Sequence, residues 1–326
     1  MEDGTETVAE TVATEHYEGI LFIGDPHVAA SPPGHRLDDY ARTITDKLAF
    51  CLHTASERRC LPIILGDLFH VPRSNPNNLL VDLIELFRPQ KPWVLVGNHD
   101  KYEARLTRDV SLSVLRAAGV IRLLDEAGKV SSLTIRGKKV LIGASPDWTP
   151  IPATVDREDH DFVIWLTHHD LSFPGYESGR FHLKEIPGVD LVVNGHIHTP
   201  KPPHRAGTTL WYNPGSIVRI TRSAHTRGIQ PAVTVWNPED GELEILHVPH
   251  QPFDEVFPPF EEGSEAAEEV LDESLFIRGL ENLALRRTTE GVGLKAFLEA
   301  NLQPDDPVDG IIWELYEDVI ADETEE

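Results

Sequence analysis

The chain has 326 residues and a formal net charge of −25, from 54 acidic and 29 basic residues. This length exceeds one typical domain and fits a large α/β core with an appendage. The two cysteines, Cys51 and Cys60, form no disulfide framework, so we expect buried thiols in a reducing cytoplasm. No apolar run reaches the length of a membrane span, and no signal peptide pattern is visible, which argues against a membrane or secreted protein.

The acidic charge lies at the two ends of the chain. Residues 1–18 contain six acidic residues and no Lys or Arg, and residues 254–326 contain 22 acidic and four basic residues. Residues 19–253 contain 26 acidic and 25 basic residues, so this central part is nearly neutral and compatible with a phosphate-bearing substrate. The acidic ends are typical of solubilising tails, and they also suit a basic partner or repulsion of DNA from the wrong surfaces.

Strand and helix patterns alternate in the first part of the chain and become mostly strand later. Residues 1–16 are acidic and Thr-rich, which predicts a disordered tail. Apolar runs predict strands that end at Asp25, Asp67 and Asn98. Amphipathic patterns predict helices over residues 38–58, 77–87 and 106–118. Later strands are predicted over residues 132–136, 140–144, 162–167, 190–194, 208–212, 231–236 and 242–248.

This order of elements predicts two stacked mixed sheets flanked by helices, an α/β fold. A turn at Gly137-Lys138 is expected to join two of the strands. After His250 the composition changes, and Pro and Phe residues predict a linker over 251–263. The linker would divide a domain over 17–250 from an acidic helical extension over 264–326. The helices predicted in the extension are 274–287, 294–302 and 309–321. The last has an apolar stripe of Ile312, Leu315 or Tyr316, and Val319, which suits either docking on a partner or packing on the core.

Five short segments, each directly after an apolar run, carry residues that bind divalent metals. In chain order they are residues 24–27 (Gly-Asp-Pro-His), 66–70 (Gly-Asp-Leu-Phe-His), 97–100 (Gly-Asn-His-Asp), 167–169 (Thr-His-His) and 195–198 (Gly-His-Ile-His). Carboxylates, an amide and imidazoles at strand ends suit a pair of borderline-hard divalent ions. One such segment is weak evidence, but five in this order are a specific signal.

The five segments resemble the pattern of the calcineurin-like metallophosphoesterases, which is Asp-x-His, Gly-Asp, Gly-Asn-His-Asp/Glu, a single His and Gly-His-x-His. Residues 213–216 (Asn-Pro-Gly-Ser) match a turn that is common in this family after the last segment. The resemblance implies a four-layer α/β/β/α sandwich, here with a C-terminal acidic helical extension. It also implies two divalent metal ions, with Mn²⁺ favoured by the resemblance, although the ligands alone also suit Fe, Zn or Ni.

The resemblance further implies a role for each of these residues. The implied ligands are Asp25, His27 and His198 for one metal ion, Asn98, His168 and His196 for the other, and Asp67 as the bridge between them. His99 has no implied metal and would act on the phosphate. His169 is an alternative to His168 because adjacent residues at a strand end point to opposite sides. The spacing in the family favours His168.

His70 connects the chain to one branch of this family. The segment Gly-Asp-Leu-Phe-His, with Pro72 and Pro76 after it, resembles the SbcD-type double-strand-break repair nucleases, where His70 would be a second catalytic residue. The alternative is that His70 only packs against its loop. Enzymes of this branch carry C-terminal helices that dock on the coiled-coil base of an SbcC-like ABC-type ATPase. The chain is short for a full DNA-capping domain in addition to this helical end, which weighs against the assignment.

These features predict a two-metal phosphodiester hydrolase, specifically a cytoplasmic DNA nuclease. The predicted partner is an ABC-type ATPase, and a homodimer is a possible assembly. The cleavage polarity and the choice between exonuclease and endonuclease stay open. One alternative is a phosphoesterase for nucleotides or other small molecules. Another is a metal-binding scaffold subunit without catalysis, although the presence of His99 and of the complete ligand set argues against it.

Overall fold

The structure is a computed structural model, and it describes residues 17–103 and 105–259. Its helices are α1 (Tyr40–Glu57), α2 (Asn77–Phe87), α3 (Ser111–Ala117), α4 (Ala224–Arg227) and α5 (Phe253–Val256). The first seven strands are β1 (Gly19–Ile23), β2 (Cys60–Ile64), β3 (Trp93–Leu95), β4 (Arg122–Leu124), β5 (Gly128–Ile135), β6 (Lys138–Ser145) and β7 (Phe162–Thr167). The others are β8 (Leu171–Ser172), β9 (Phe181–His182), β10 (Leu191–Asn194), β11 (Lys201–Ala206), β12 (Thr209–Asn213), β13 (Ala232–Trp236) and β14 (Leu243–His247).

The described strands form two six-stranded mixed sheets and a small two-stranded sheet of β8 and β9. The first sheet has the order β14-β13-β1-β2-β3-β4, and β1 to β4 run parallel. The second has the order β11-β12-β10-β7-β6-β5, and its four central strands run parallel. Parallel strands end at the same edge of their sheet. The ends of β1, β2 and β3 therefore lie together, as do those of β7 and β10.

The two sheets stack because their central strands are apolar on both faces. On β1, Ile20 and Phe22 share a buried cluster with residues of the second sheet such as Ile142 and Ile164. The alternate residues of β1, Leu21 and Ile23, belong to a cluster that also contains apolar residues of α1, α2 and α3. One face of the first sheet is thus buried against the second sheet, and the other is covered by helices.

The predicted sandwich of two stacked mixed sheets is confirmed. Trp165 on β7 and Val192 on β10 face away from the first sheet and pack with Phe173, Ile186 and Val189. In the described part of the chain, this outer face of the second sheet is therefore covered by loop residues and by Leu171 of β8. Helices cover the outer face of the first sheet.

Several predicted bounds differ from the structure. Strand β5 begins at Gly128 and not at residue 132. Helix α3 begins at Ser111 and not at residue 106, because Thr107 bonds to the side chain of Asp109 and accepts a hydrogen bond from Ser113 Oγ through its carbonyl. The hairpin between β5 and β6 turns at Arg136 and Gly137, with φ values of 47° and 75°. The prediction of Gly137-Lys138 was wrong by one residue, because the two-residue turn needs positive φ at both positions.

The described chain continues to Pro259, beyond the start of the predicted linker. Phe253, Val256 and Phe257 form a small buried cluster, and the Leu37 N–H donates to the Val256 carbonyl at 2.9 Å. Residues 253–257 are thus packed on the domain. The predicted tail over 1–16, the rest of the linker and the extension over 264–326 with its three helices lie outside the described residues.

Both cysteines, Cys51 and Cys60, are free and buried, as predicted. Within the residues that the structure describes, no helix is long and apolar enough to cross a membrane.

Candidate metal centre

The backbone is left-handed at four of the seven predicted ligands. The φ values are 34° at Asp25, 48° at His27, 48° at Asp67 and 68° at His196. Residues other than glycine seldom adopt positive φ, and such strain concentrates at functional sites. The sharp turns at the strand ends therefore aim these side chains toward one region instead of continuing the strands.

The loops after β1 and β2 run side by side. The His27 N–H donates to the Asp67 carbonyl at 2.9 Å, the Val28 N–H to the Leu68 carbonyl at 2.7 Å, and the His70 N–H to the Val28 carbonyl at 2.9 Å. These three backbone hydrogen bonds fix the two segments in register. As a result, the side chains of His27, Asp67 and His70 lie close together.

Two glycines in the segments are required by close packing. A Cβ at Gly97 would lie 2.1 Å from Asp67 Oδ1, and a Cβ at Gly195 would lie 2.7 Å from His168 Nδ1. Both distances are too short for real atoms. The glycine that precedes Asn98 and the one that precedes His196 thus allow their strand ends to approach the buried ligands.

The seven predicted ligands form one cluster, which we call the ligand cluster. Its members are Asp25, His27, Asp67, Asn98, His168, His196 and His198. In its first half, His27 Nε2 lies 2.8 Å from His198 Nε2 and 3.7 Å from Asp67 Oδ2. Asp25 Oδ2 lies 3.9 Å from His198 Nε2. Each of these atoms is a potential metal donor, so the predicted ligands of the first metal ion converge.

The second half is built around Asn98. Its Oδ1 lies 3.1 Å from His168 Nε2 and 2.9 Å from His196 Nδ1. His168 Nε2 also lies 3.3 Å from Asp67 Oδ2, so this carboxylate contacts both halves. His168 Nδ1 donates to the Leu65 carbonyl at 2.8 Å, which fixes the ring and turns Nε2 toward the cluster.

The neighbouring His169 points elsewhere. Its Nε2 lies 2.8 Å from the Thr149 carbonyl, outside the ligand cluster. The structure thus brings His168, and not His169, together with the other predicted ligands. The assignment of individual ligands to metal ions remains a prediction.

The donor set fits divalent metal ions. Both carboxylate oxygens of Asp25 are buried and have no hydrogen-bond partner, and an unpartnered buried carboxylate is costly unless a cation compensates it. Burial raises the pKa of Asp25 to about 7. Burial also lowers the pKa of His198 to about 3 and that of His196 to about 4, which keeps both imidazoles neutral, as metal ligands must be.

Asp67 and His168 form the charged pair of the cluster. Burial raises the pKa of Asp67, but His168 and His99 outweigh it and hold this pKa well below the usual range. Burial lowers the pKa of His168, but Asp67 and Asp25 raise it to about 10. The carboxylates of Asp67 and Asp25 therefore stabilise positive charge beside His168. Bound metal ions would supply such a charge.

The two predicted catalytic histidines lie beside the cluster. The His99 N–H donates to Asp67 Oδ1 at 2.8 Å, and His99 Nδ1 lies 2.8 Å from the His70 carbonyl. The rings of His70 and His99 are stacked, with centroids 5.6 Å apart and an angle of 17° between the planes. His70 Nδ1 lies 3.5 Å from His27 Nδ1. His70 thus contacts a predicted ligand and the predicted phosphate-facing residue.

Sequence reasoning gave no role to Asp100, which is fully buried. Its Oδ1 accepts the Phe69 N–H at 3.1 Å, and its Oδ2 accepts the Gly97 N–H at 3.0 Å. The side chain thus ties the second segment to the third and holds Asn98 and His99 in place. Asp100 directly follows Asn98 and His99, two predicted functional residues. Its place in the sequence could therefore have indicated a role in the site.

Asn194 was also missed, although it ends β10 just before the fifth segment. Its side chain accepts the His169 N–H at 3.0 Å and donates to the His169 carbonyl at 3.0 Å. It also donates to Asn213 Oδ1 at 3.2 Å. The Asn213 amide donates in turn to the Ile197 carbonyl at 2.7 Å, so this pair of asparagines connects the fourth and fifth segments.

The predicted turn over residues 213–216 forms hydrogen bonds with the first and the fifth segment. The Ser216 hydroxyl donates to the Asp25 carbonyl at 2.8 Å, and the Ser216 N–H donates to the His198 carbonyl at 2.9 Å. The turn therefore holds the first segment against the fifth, which supports the approach of Asp25 to His198.

Comparison with protein families gives one match. A family model described as calcineurin-like phosphoesterase matches residues 19–200. The match covers more than half of the chain and contains all five segments. None of the curated proteins matches this chain.

Several solved structures are similar to this chain. A hypothetical protein from Thermus thermophilus is 15% identical, with a TM-score of 0.43, over 71% of this chain and 100% of that one. A conserved uncharacterized protein (predicted phosphoesterase) from Streptococcus pneumoniae is 15% identical, with a TM-score of 0.34, over 74% and 94%. A 5'-nucleotidase precursor from Thermus thermophilus is 13% identical, with a TM-score of 0.38, over 82% and 59%.

Proposed function

Because the chain belongs to the family of calcineurin-like phosphoesterases, we propose that it is a two-metal phosphodiester hydrolase that cleaves DNA, a nuclease of the SbcD-like type. Membership makes the chain a metal-dependent phosphoesterase. The choice of DNA as substrate is carried by His70, which lies against both His27 and His99.

A second histidine at this position suits a poor leaving group. Hydrolysis of DNA releases a sugar hydroxyl, which needs a proton as the bond to phosphorus breaks. A chromogenic phenolate leaves without that help. His70 is stacked on His99 at 5.6 Å, so two imidazoles lie beside the ligand cluster. We assign one to stabilise the phosphate and one to protonate the leaving oxygen.

Each residue of the site then has a specific task. When bound, two divalent ions supply Lewis-acid polarisation of the phosphoryl group and a lowered pKa for water. Asp67 contacts both halves of the ligand cluster and holds their positions relative to each other. The His70 carbonyl accepts a hydrogen bond from His99 Nδ1 at 2.8 Å, which leaves Nε2 as the atom that gains or gives up a proton. When the ring is protonated, its Nε2–H can donate to a phosphate oxygen or to the leaving oxygen. The metal that we propose is Mn²⁺, and the donors also suit Fe, Zn or Ni.

We further propose an SbcC-like ABC-type ATPase as the partner, with a homodimer as an alternative assembly. The proposed docking element is the acidic extension, where Ile312, Leu315 and Val319 form an apolar stripe in the sequence. These residues lie outside the described part of the chain, so this proposal depends on the sequence alone.

The test is a panel of four substrates with Mn²⁺, namely linear double-stranded DNA, single-stranded DNA, a small chromogenic phosphodiester and a chromogenic phosphomonoester. We expect wild-type protein to cleave DNA and the diester. His70→Ser should lose more activity on DNA than on the diester. His53→Ser, at an exposed position on α1, is the matched control and should behave as wild type.

The other results separate the alternatives. Hydrolysis of the monoester without cleavage of DNA would contradict the nuclease and favour a small-molecule phosphoesterase. Metal binding without hydrolysis of any of the four substrates would favour a scaffold subunit. An equal loss on DNA and diester in His70→Ser would give His70 a structural role only.

A further inference from the structure

We propose that two pairs of a cation and an aromatic ring bind an unpaired strand of the nucleic acid substrate next to the metal centre. The pairs are Arg73 with Tyr102 and Lys201 with Tyr176. This inference rests on the proposed nuclease function and narrows its substrate to single-stranded segments.

The first pair lies on the loops that carry His70 and His99. Arg73 follows His70 by three residues, and Tyr102 follows His99 by three residues. Because these two histidines are stacked, the loops leave the ligand cluster side by side. The Arg73 guanidinium then lies 4.1 Å from the centroid of the Tyr102 ring.

Tyr102 is exposed to an unusual degree for an aromatic residue. It is 67% exposed, although one face of its ring is covered by Arg73. Arg73 also pairs with Asp109, so its main effect is to hold the ring in one orientation. The result is a fixed aromatic surface that is open to solvent at the edge of the metal centre.

Lys101 anchors the loop that carries this ring. Its ammonium group lies 2.6 Å from the carboxylate of Asp147 and 5.4 Å from the centroid of the Trp148 ring, and its side chain is only 7% exposed. Since its charge is already paired and buried, we assign Lys101 to loop position and not to substrate. Tyr102, the next residue, is therefore held at a defined place.

The second pair lies beside the fourth and fifth segments. Lys201, which follows His198 by three residues, places its ammonium group 4.8 Å from the centroid of the Tyr176 ring. The Tyr176 hydroxyl donates to Asp170 Oδ1 at 3.2 Å, and Asp170 lies two residues after His168. The second pair thus connects to both halves of the ligand cluster, through His198 in the first half and His168 in the second.

These pairs match the chemistry of a single strand. Unpaired bases stack on aromatic rings, and nearby cations attract the backbone phosphates. A base inside a duplex is already stacked on both faces, so an exposed ring such as Tyr102 gains little from it. A base on the Tyr102 ring would place a phosphate of the same strand toward His70 and His99.

The test uses fluorescence anisotropy to measure binding of a short fluorescein-labelled phosphorothioate oligothymidylate. The protein is full-length and metal-loaded, and the matching duplex serves as the comparison. Tyr102→Ala should weaken binding of the single strand about tenfold, in the range known for loss of one base–aromatic stack. Tyr102→Phe keeps the ring and should restore the affinity. Ile245→Ala, at a 58% exposed position on β14, controls for loss of an exposed apolar side chain.

A second variant, Lys201→Ala, tests the other pair and should weaken single-strand binding with a smaller dependence on salt than wild type. The metal content of each variant, measured by mass spectrometry, shows whether the ligand cluster is intact. A Tyr102→Ala protein that binds the single strand like wild type overturns the inference, as does wild type that prefers the duplex.

Failure of the proposed function gives a different result. Wild-type protein that hydrolyses the small diester but neither binds nor cleaves DNA overturns the nuclease proposal and this inference with it. Wild-type protein that cleaves DNA while Tyr102→Ala retains full affinity overturns this inference alone.

Discussion

The carboxylate of Asp67 and the backbone of His99 are joined by a hydrogen bond of 2.8 Å, from the His99 N–H to Oδ1. The other oxygen of Asp67 lies 3.3 Å from His168 Nε2 and 3.7 Å from His27 Nε2. One side chain therefore sets the position of a predicted catalytic residue and contacts both halves of the ligand cluster. Its substitution is the most direct test of the two-metal site.

We expect Asp67→Asn to bind less metal and to lose hydrolysis by several orders of magnitude, because the amide keeps the shape of the side chain but removes its charge. Metal content and turnover of the small diester are the measurements. Chelator-treated wild-type protein should lose activity and regain it with Mn²⁺. Hydrolysis that continues unchanged in excess chelator would contradict the two-metal site.

His99→Ser should separate catalysis from metal binding. His99 contacts Asp67 through its backbone N–H, and serine keeps that group, so we expect metal occupancy near the wild-type level. Turnover should fall strongly, because this variant lacks the imidazole that we propose acts on the phosphate. A variant with low metal content would indicate instead that the His99 ring supports the ligand cluster.

Gly97→Ala should reduce metal binding without removing any ligand. The added Cβ would lie 2.1 Å from Asp67 Oδ1 and 2.4 Å from the Asp67 backbone nitrogen, so the carboxylate has to move. Gly228→Ala is the control, since a Cβ there meets its first neighbour at 3.7 Å. Equal metal content in the two variants would show that the third segment has more room than the structure indicates.

Lys47 should give the folded protein a distinct dependence on pH. Its ammonium group is buried and donates to the Ile217 carbonyl at 2.7 Å. Burial, together with Arg36 and Arg219, lowers the pKa of Lys47 from 10.5 to about 7. Above pH 7 the unfolded chain therefore binds the proton more tightly than the folded one, and the Lys47 contribution to stability rises with pH up to about 10.5.

The measurement is the free energy of unfolding in urea for wild type and Lys47→Met at several pH values above 7. As the pH rises, the free energy of unfolding of wild type should increase relative to that of Lys47→Met by up to about 1.4 kcal/mol per pH unit. Using the difference removes the contribution of other groups that titrate in both proteins. Parallel pH profiles would show that Lys47 does not change its protonation on folding.

The predictable part of the molecule is local in the sequence. Strands such as β1 are buried on both faces and so appear as continuous apolar runs. A ligand-type residue follows each of five such runs, in four cases directly after a glycine, so the position of the site is predictable from the sequence alone. Helix α2 was predicted at its observed bounds, Asn77–Phe87.

The remainder depends on contacts between distant residues. The sequence left His168 and His169 as alternatives, and the difference between them is a hydrogen bond from His168 Nδ1 to the Leu65 carbonyl, 103 residues away. Strand β11 was missed because Pro202 and Pro203 interrupt its pattern. The structure places it at the edge of its sheet, where proline is tolerated.

The boundary of the domain is testable with two truncations. A chain that ends at Pro259 keeps the buried cluster of Phe253, Val256 and Phe257, and it keeps the hydrogen bond from Arg222 to the Pro258 carbonyl at 3.1 Å. We expect it to melt at a temperature near that of the full chain and to hydrolyse the small diester normally, because all proposed catalytic groups precede residue 251.

A chain that ends at His250 loses that cluster. Each of the three side chains is at most 5% exposed, and burial of such a side chain contributes about 1.5–3 kcal/mol. We therefore expect a melting temperature lower by several degrees and greater binding of a dye that detects exposed apolar surface.

The chain that ends at Pro259 tests the division itself. If it loses hydrolysis of the small diester, the acidic extension takes part in building the active site, and the proposed division between domain and extension is wrong.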